Sequence, residues 1–362
     1  MSKLTFVYQS SIIRPYLILI FSMFDPKYTI TNKLLGNIKR IAEIITDLNS
    51  KSFPRLVLAE MEKRAREISA FSSTSIEGNP LPLTDVKRIL KNRPENIRDS
   101  EKEVLNYNKA LIELDGLIKI KKIAIDAGLI IKIQKIVTDG LIEKYRYGHI
   151  RQEPVFVNDP KTRRTIYWPP DHKEVLKLLK ELFHYLEINS KTIDPLILAG
   201  IFHKQFVILH PFIDGNGRTA RLVAKVLLAK MGLNTFNLFS FENYYNRNVG
   251  RYFSEVGLAG NYYDIKDKIN FTPWLEYFTD GIIDELLRVK KELEREAVSP
   301  DVKDHHKVIL EYIKEKGYIT DKDYSMLTKR AKPTRNLDFN KLIGLGLIVM
   351  VGRGKATYYK LK

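Results

Sequence analysis

Apolar residues recur at spacings of three and four through segment after segment of this chain, and that periodicity commits it to helices before anything else is considered. From Asn32 to Leu48, the residues Leu34, Leu35, Ile38, Ile41, Ile44 and Ile45 fall along one face of a 3.6-residue period. Residues 54–71, 99–120, 126–140, 173–188, 193–209 and 217–231 keep the same period, and 272–296 predict a longer helix. Such a chain folds as a mainly α body, a packed helical bundle. At 362 residues it exceeds the common size of one domain, so two or three packed units are expected.

One stretch breaks the helical pattern. Pro154-Val155-Phe156-Val157 and Arg164-Thr165-Ile166-Tyr167-Trp168 are β-prone runs flanking Asn158-Asp159-Pro160-Lys161, which predicts a hairpin. A lone hairpin is marginal in water, so this one must lean on the bundle. Val298-Ser299-Pro300 then reads as a linker to a second unit. There His306–Lys316, Asp321–Leu327 and Pro333–Leu345 predict three helices, with a short strand at Tyr318–Thr320. Gly346–Leu361 alternates like a hairpin tipped by Gly352-Arg353-Gly354-Lys355. The resulting units are 23–125, 126–297 and 301–362, and residues 1–22 can be read as an N-terminal extension because Phe24-Asp25-Pro26 resembles a domain start.

Composition narrows the chemistry. Hydrophobic residues at 44% and charged residues at 28% are ordinary for a globular chain. No cysteine is present, which excludes disulfides and thiolate metal sites and fits a cytoplasmic setting; any metal must sit on oxygen or imidazole. The apolar stretch Ile12–Phe24 is broken by Arg14 and Pro15 and is too short to span a bilayer, so no membrane partner is expected. A net charge of +17 favours polyanions such as nucleotides or nucleic acid.

The segment His210-Pro211-Phe212-Ile213-Asp214-Gly215-Asn216-Gly217-Arg218-Thr219-Ala220-Arg221 concentrates phosphate chemistry. Gly215 and Gly217 permit a tight turn that presents backbone N–H groups at a helix N-terminus, where the dipole favours an anion. Arg218 and Arg221, three apart on the first turn, bring two guanidinium forks to one polyphosphate. Asp214 can hold Mg²⁺, and His210 can take a proton from an attacking hydroxyl. A rival zinc site of His203, His210 and Asp214 would leave both arginines and the glycines without a purpose. His203 is expected to be a buried, hydrogen-bonded support.

This run resembles the HPFxDGNGRxxR signature of the Fic family at every specified position. Gly148-His149-Ile150-Arg151, Tyr167-Trp168-Pro169-Pro170, Asn246-Arg247 with Tyr252, and Phe271-Thr272-Pro273-Trp274 extend the resemblance over about residues 24–280. It implies AMP transfer from Mg-ATP to a Ser, Thr or Tyr hydroxyl of a protein. By resemblance His210 is the general base and Asp214 the Mg²⁺ ligand. Gly215, Asn216 and Gly217 become the phosphate cradle, Arg218 and Arg221 hold the β- and γ-phosphates, and Phe212 is a core anchor. Tyr245 and Asn246 would border the adenine. Val155, Phe156, Val157, Thr165, Ile166 and Tyr167 would form the flap to which a target segment adds as a strand.

Ser73-Thr74-Ser75-Ile76-Glu77-Gly78 is similar to the family's inhibitory pattern [S/T]xxxE[G/N]. It implies that Glu77 pairs with Arg221 and takes the guanidinium meant for the γ-phosphate; the simpler alternative is a helix end capped by Gly78 and stopped by Pro80. Residues 301–362 resemble a winged helix, with Lys and Arg dominating 329–362 against the single acid Asp338. Arg335, Arg353 and Lys355 would then contact DNA, though such modules also bind proteins. The readings left open are a DNA-binding regulator with a nucleotide-sensing body, removal of AMP, and another phosphoryl transfer on the same scaffold; a homodimer is compatible with all of them.

Overall fold

The computed structural model describes residues 24–53, 55–119, 123–159, 162, 164–230, 238–297 and 302–362. The expected extension 1–22, the linker 298–300 and the turn residues Pro160 and Lys161 lie outside the described residues. The first helices are α1 (Asn32–Ser50), α2 (Arg55–Ile76), α3 (Leu83–Lys91), α4 (Asp99–Lys119) and α5 (Ala127–Val137). The strands β1 (Val157–Asn158) and β2 (Thr165–Trp168) follow, then α6 (His172–Asn189), α7 (Pro195–Leu209) and α8 (Asn216–Lys230). After them come α9 (Glu242–Arg247), α10 (Val249–Val256), β3 (Gly260–Asn261), α11 (Tyr262–Ile265) and α12 (Thr272–Ala297). The C-terminal elements are α13 (Asp304–Lys316), α14 (Asp321–Leu327), α15 (Lys332–Gly344), β4 (Ile348–Val351) and β5 (Tyr358–Leu361).

The mainly α bundle is organised around α7. That helix is apolar on nearly every face and buried from Leu196 to Leu209 apart from Val207, as a central helix must be. Asp194 caps it, accepting from the Leu196 N–H at 2.8 Å, with Pro195 in the first turn, where its missing N–H costs nothing. Helix α8 packs against it after the His210–Gly215 turn, and the Trp274 indole of α12 donates to the Gly200 carbonyl at 2.8 Å. His203 sits inside this core with Nε2 3.0 Å from the Tyr252 hydroxyl, which is the supporting role expected of it. None of the described helices is long and apolar enough to cross a membrane.

The flap departs from the expected hairpin. Only Val157 and Asn158 join the ladder; Val155 and Phe156 are irregular, and Phe156 is 56% exposed. The strand β2 pairs antiparallel with β1 on one side and parallel with β3 on the other, so it has no free edge. A strand added to this sheet must therefore pair at β1 or β3, the two edges. Tyr167 does not face a target at all: its ring is buried and its hydroxyl donates to the Ile208 carbonyl at 3.0 Å, fastening the flap to α7.

Elements α13 to β5 close around a core of their own, formed by Ile309, Ile313, Ile319, Tyr324, Phe339, Leu342 and Ile348. Ile319 forms an isolated antiparallel bridge to Tyr359 on the β5 side of the two-stranded β4–β5 hairpin. The buried Asp338 is the hub here, accepting from Arg330 Nε at 2.7 Å and from the Tyr324 hydroxyl at 3.0 Å. His305 and His306 both approach its Oδ1, at 3.3 and 3.4 Å. This is the one group with metal-ligand spacing among the described residues, but Arg330 already neutralises the carboxylate, and His306 Nδ1 accepts the Lys303 N–H at the start of α13.

Candidate active site

Helix α7 ends at His210, whose φ of 47° is the only positive value among the described non-glycine residues. The left-handed turn swings the chain back, and α8 starts six residues later at Asn216. Gly215, with φ of 83°, opens that helix: its carbonyl accepts the Thr219 N–H at 2.9 Å, and a Cβ there would lie 2.9 Å from the Thr138 methyl. The Asn216 side chain turns away from the cradle and leaves only its backbone N–H there. Its amide side chain accepts from the Phe212 N–H at 2.9 Å and donates to the Phe212 carbonyl at 2.8 Å, locking the turn into shape. The Arg151 N–H donates to the Pro211 carbonyl at 2.9 Å, and its Nε donates to the His210 carbonyl at 2.8 Å. The first N–H groups of α8, at the end of this hydrogen-bonded loop, have no partner within the helix.

His210 is half-buried, with Nδ1 3.3 Å from the Val207 carbonyl. Since a carbonyl only accepts, the proton sits on Nδ1 and the Nε2 lone pair is left for an incoming proton. Burial pushes the imidazole down to about 4, against the pull of the Val207 carbonyl, so it is neutral near pH 7.

Both arginines are present at the helix start, and each already grips a carboxylate. Arg221 is completely buried: Nε donates to Ser73 Oγ at 2.8 Å, Nη2 to the Ser73 carbonyl at 2.9 Å and to Glu77 Oε1 at 2.7 Å. Its pKa is raised despite burial, with Glu77 the leading cause. Arg218 holds Asp214 Oδ2 at 2.8 Å and Glu103 Oε1 at 2.7 Å. The Glu77 carboxylate sits so close to the cradle that a Cβ on Gly217 would lie 2.2 Å from Oε1, a space only glycine leaves. An open cleft of about 370 Å³, lined among others by Glu77, Glu103, Asp214 and Arg218, faces this assembly.

The turn that carries Glu77 satisfies both readings of its sequence. The Gly78 N–H donates to Ser75 O at 2.9 Å and the Asn79 N–H to Thr74 O at 3.1 Å, with Gly78 at φ of 95°, which is the Schellman closure of a helix. The cap and the arginine contact coexist because the cap uses only backbone.

Residues 124–228 match the model of the Fic/DOC family. The chain carries a Fic/DOC domain. The chain is 26% identical over 220 residues to protein adenylyltransferase Fic of Drosophila melanogaster, covering 56% of this chain, and 28% identical over 222 residues to its counterpart in Aedes aegypti. The matched region spans 43% and 42% of those two relatives. The fold is similar to that of a Fic family protein from Desulfovibrio desulfuricans G20, with a TM-score of 0.62 at 20% identity over 94% of this chain and 98% of that one. It is also similar to Fic-1 of C. elegans, residues 134–508, with a TM-score of 0.57 at 22% identity over 72% of this chain and 73% of that one.

Other expected residues are placed differently. Tyr245 is fully buried and stacked on Tyr252 at 4.8 Å between centroids, so it forms core rather than a wall for adenine, while Asn246 beside it is half-buried. The rival zinc triad is not assembled: among the described residues His203, His210 and Asp214 form no group with metal-ligand spacing. The Arg335 guanidinium grips Asp321 at 2.8 and 3.0 Å. Arg353 is exposed at the hairpin tip, and the Lys355 side chain lies outside the described residues.

Three partners had not been expected. Glu103 on α4 faces Arg218, and Lys225 and Glu242 form a buried pair at 3.2 Å behind Arg221. Lys225 had a visible signal, a lone cation in the apolar run Leu222–Ala229 one turn after Arg221. Glu242 gathers Ser69 of α2, Tyr107 of α4 and Lys225 of α8 on its two oxygens. Removing one partner leaves a buried charge, so Glu242→Ala is expected to destabilise the fold by about 3–5 kcal/mol, read from urea unfolding.

Proposed function

We propose that this chain is a self-restrained protein adenylyltransferase, moving AMP from Mg-ATP to a Ser, Thr or Tyr hydroxyl of a protein. The observation that carries the reading is Glu77: an anionic group lodged against Gly217 and Arg221 marks the place where a terminal phosphate would sit. In the transfer, the target hydroxyl oxygen attacks the α-phosphorus, the bond to pyrophosphate breaks, and the hydroxyl proton passes to His210 Nε2. The neutral state and the Nδ1 anchor of His210 suit that role. The N–H groups of Asn216, Gly217 and Arg218 and the two guanidinium forks would hold the phosphates.

Asp214 suits magnesium on its chemistry. It offers an oxygen donor, its side chain is 44% exposed at the cleft, and only one of its oxygens is engaged by Arg218. Magnesium held by Asp214 would offset the negative charge that develops on the leaving pyrophosphate. The target would lie along the exposed Phe156 and Ile166 and pair at the β1 edge. The same reading places the enzyme in the cytoplasm and leaves homodimer formation and DNA contact by residues 301–362 as further proposals. For DNA, the sequence support is weakened by the Arg335–Asp321 pair, while Arg353 remains available.

The test is incubation with ATP labelled at the α- or the γ-phosphate, followed by intact-mass analysis of the chain and of captured proteins. Label from the α position supports AMP transfer. Label from the γ position alone would replace it with kinase chemistry.

A further inference from the structure

Arg218 is held as firmly as Arg221, and by a residue outside the signature. Glu103 Oε1 lies 2.7 Å from Nη1, while Asp214 Oδ2 takes Nη2 at 2.8 Å. Arg218 Nε is buried and has no acceptor among the described residues, so the guanidinium is gripped without being saturated. Glu103 is itself fixed: Oε2 accepts from Asn79 Nδ2 at 2.7 Å, and the same amide donates to the Ser100 carbonyl at 2.8 Å. Asn79 is the second residue after Glu77, and its backbone closes the α2 turn. One side chain therefore ties the turn carrying Glu77 to the carboxylate holding Arg218.

We propose that Glu103 is a positioning residue that acts through Arg218 as a second restraint on the nucleotide site, and that Asn79 couples its release to that of Glu77. The inference rests on the nucleotide-transfer reading above. A guanidinium presents its donors in one planar fork, so a carboxylate at hydrogen-bond distance competes with a phosphate for it. Asp214 can turn from Arg218 to a cation. Glu103, tied to Asn79, stays facing the incoming phosphates with like charge. Burial raises the pKa of Glu103 against the pull of Arg218, with Glu77 and Asp214 adding, a mark of three carboxylates crowded around two cations. Asp99 provides the contrast: it lines the same cleft, its side chain is 81% exposed, and its ion-pair partner is Lys102.

The experiment measures Mg-ATP affinity of the full chain by calorimetry, with KM and kcat for AMP transfer, in Glu77→Gly and in that variant combined with Glu103→Gln or Asp99→Asn. Glutamine keeps the volume and an oxygen for Asn79, so a packing role alone would leave binding unchanged. Adding Glu103→Gln is expected to tighten Mg-ATP roughly tenfold and lower KM with little change in kcat, because a like charge is removed from a desolvated site. Asp99→Asn is expected to change affinity by less than about twofold, its exposed charge being screened. Asn79→Ala in the otherwise unaltered chain is expected to recover part of the gain given by Glu77→Gly. If Glu103→Gln adds nothing, or Asp99→Asn matches it, the second restraint is wrong while a gain from Glu77→Gly leaves the transfer reading standing. If no variant binds Mg-ATP, both fall together.

Discussion

His210→Ala, placed in a Glu77→Gly background so that the starting rate is measurable, should lower AMP transfer on the order of a thousandfold, within the span of general-base effects. Mg-ATP binding should survive, because the imidazole holds no phosphate in this arrangement. The pH profile follows from the same side chain. With its pKa pushed down to about 4 by burial, His210 stays a free base through pH 5, and its contribution should fade only as pH drops through about 4. Stability carries the matching sign. An unfolded histidine takes up a proton near pH 6.5 and the folded His210 does not until about 4, so stability falls as pH drops across that window. His203, whose pKa burial also lowers, shifts stability in the same direction. A transfer rate that instead rises and falls with a midpoint near 6.5 would mean that the imidazole is solvated, and the buried-base account would be lost.

The helices that the sequence predicted best are those whose stripe is long enough to repeat. Thus α1, α6, α7, α8 and α12 end within two residues of the boundaries read from periodicity. Missed elements are the short ones: α3 follows Pro80 and Pro82 and spans little more than two turns, α9 shows no stripe, and β3 is only two residues long. The helix α2 runs to Ile76 instead of ending near residue 71 because its polar end is buried and satisfied. Ser73 receives Arg221, and the Thr74 hydroxyl donates to the Ala70 carbonyl at 2.8 Å. From sequence, the polar run Ser72–Ser75 looks like a helix end.

The site divides along the same line. Residues 210 to 221 are adjacent in the chain, so the glycine turn and the two arginines on one helix start were legible from spacing alone. What each arginine holds was not equally legible. The Glu77 contact came from a family pattern, whereas Glu103 and Asn79 reach Arg218 across more than a hundred residues and carry no periodic signal. Tyr245 shows the opposite failure. The family resemblance implied a wall for adenine, but the ring completes an aromatic core with Tyr252, Trp274 and Tyr277.

Glu77→Gly should raise Mg-ATP affinity and AMP transfer by about 10- to 100-fold, the equivalent of the ~1.5–3 kcal/mol attributed to a hydrogen bond to a charged group. The lower end is favoured because the Glu77 side chain is 29% exposed and part of its grip on Arg221 is screened. The helix end should survive the change, since the Gly78 and Asn79 N–H groups that close α2 belong to the backbone. Arg221 would lose the Glu77 carboxylate yet keep Ser73 and the Tyr252 hydroxyl, so the nucleotide-free variant should melt slightly below the parent chain. Mg-ATP reverses the order. A ligand that binds only the folded state stabilises it in proportion to its affinity, so the thermal shift on adding Mg-ATP should be larger for Glu77→Gly than for the parent. Equal shifts in the two proteins would show that Glu77 does not compete with the γ-phosphate, and Arg221 would then be a structural residue of the bundle rather than part of a restrained nucleotide site.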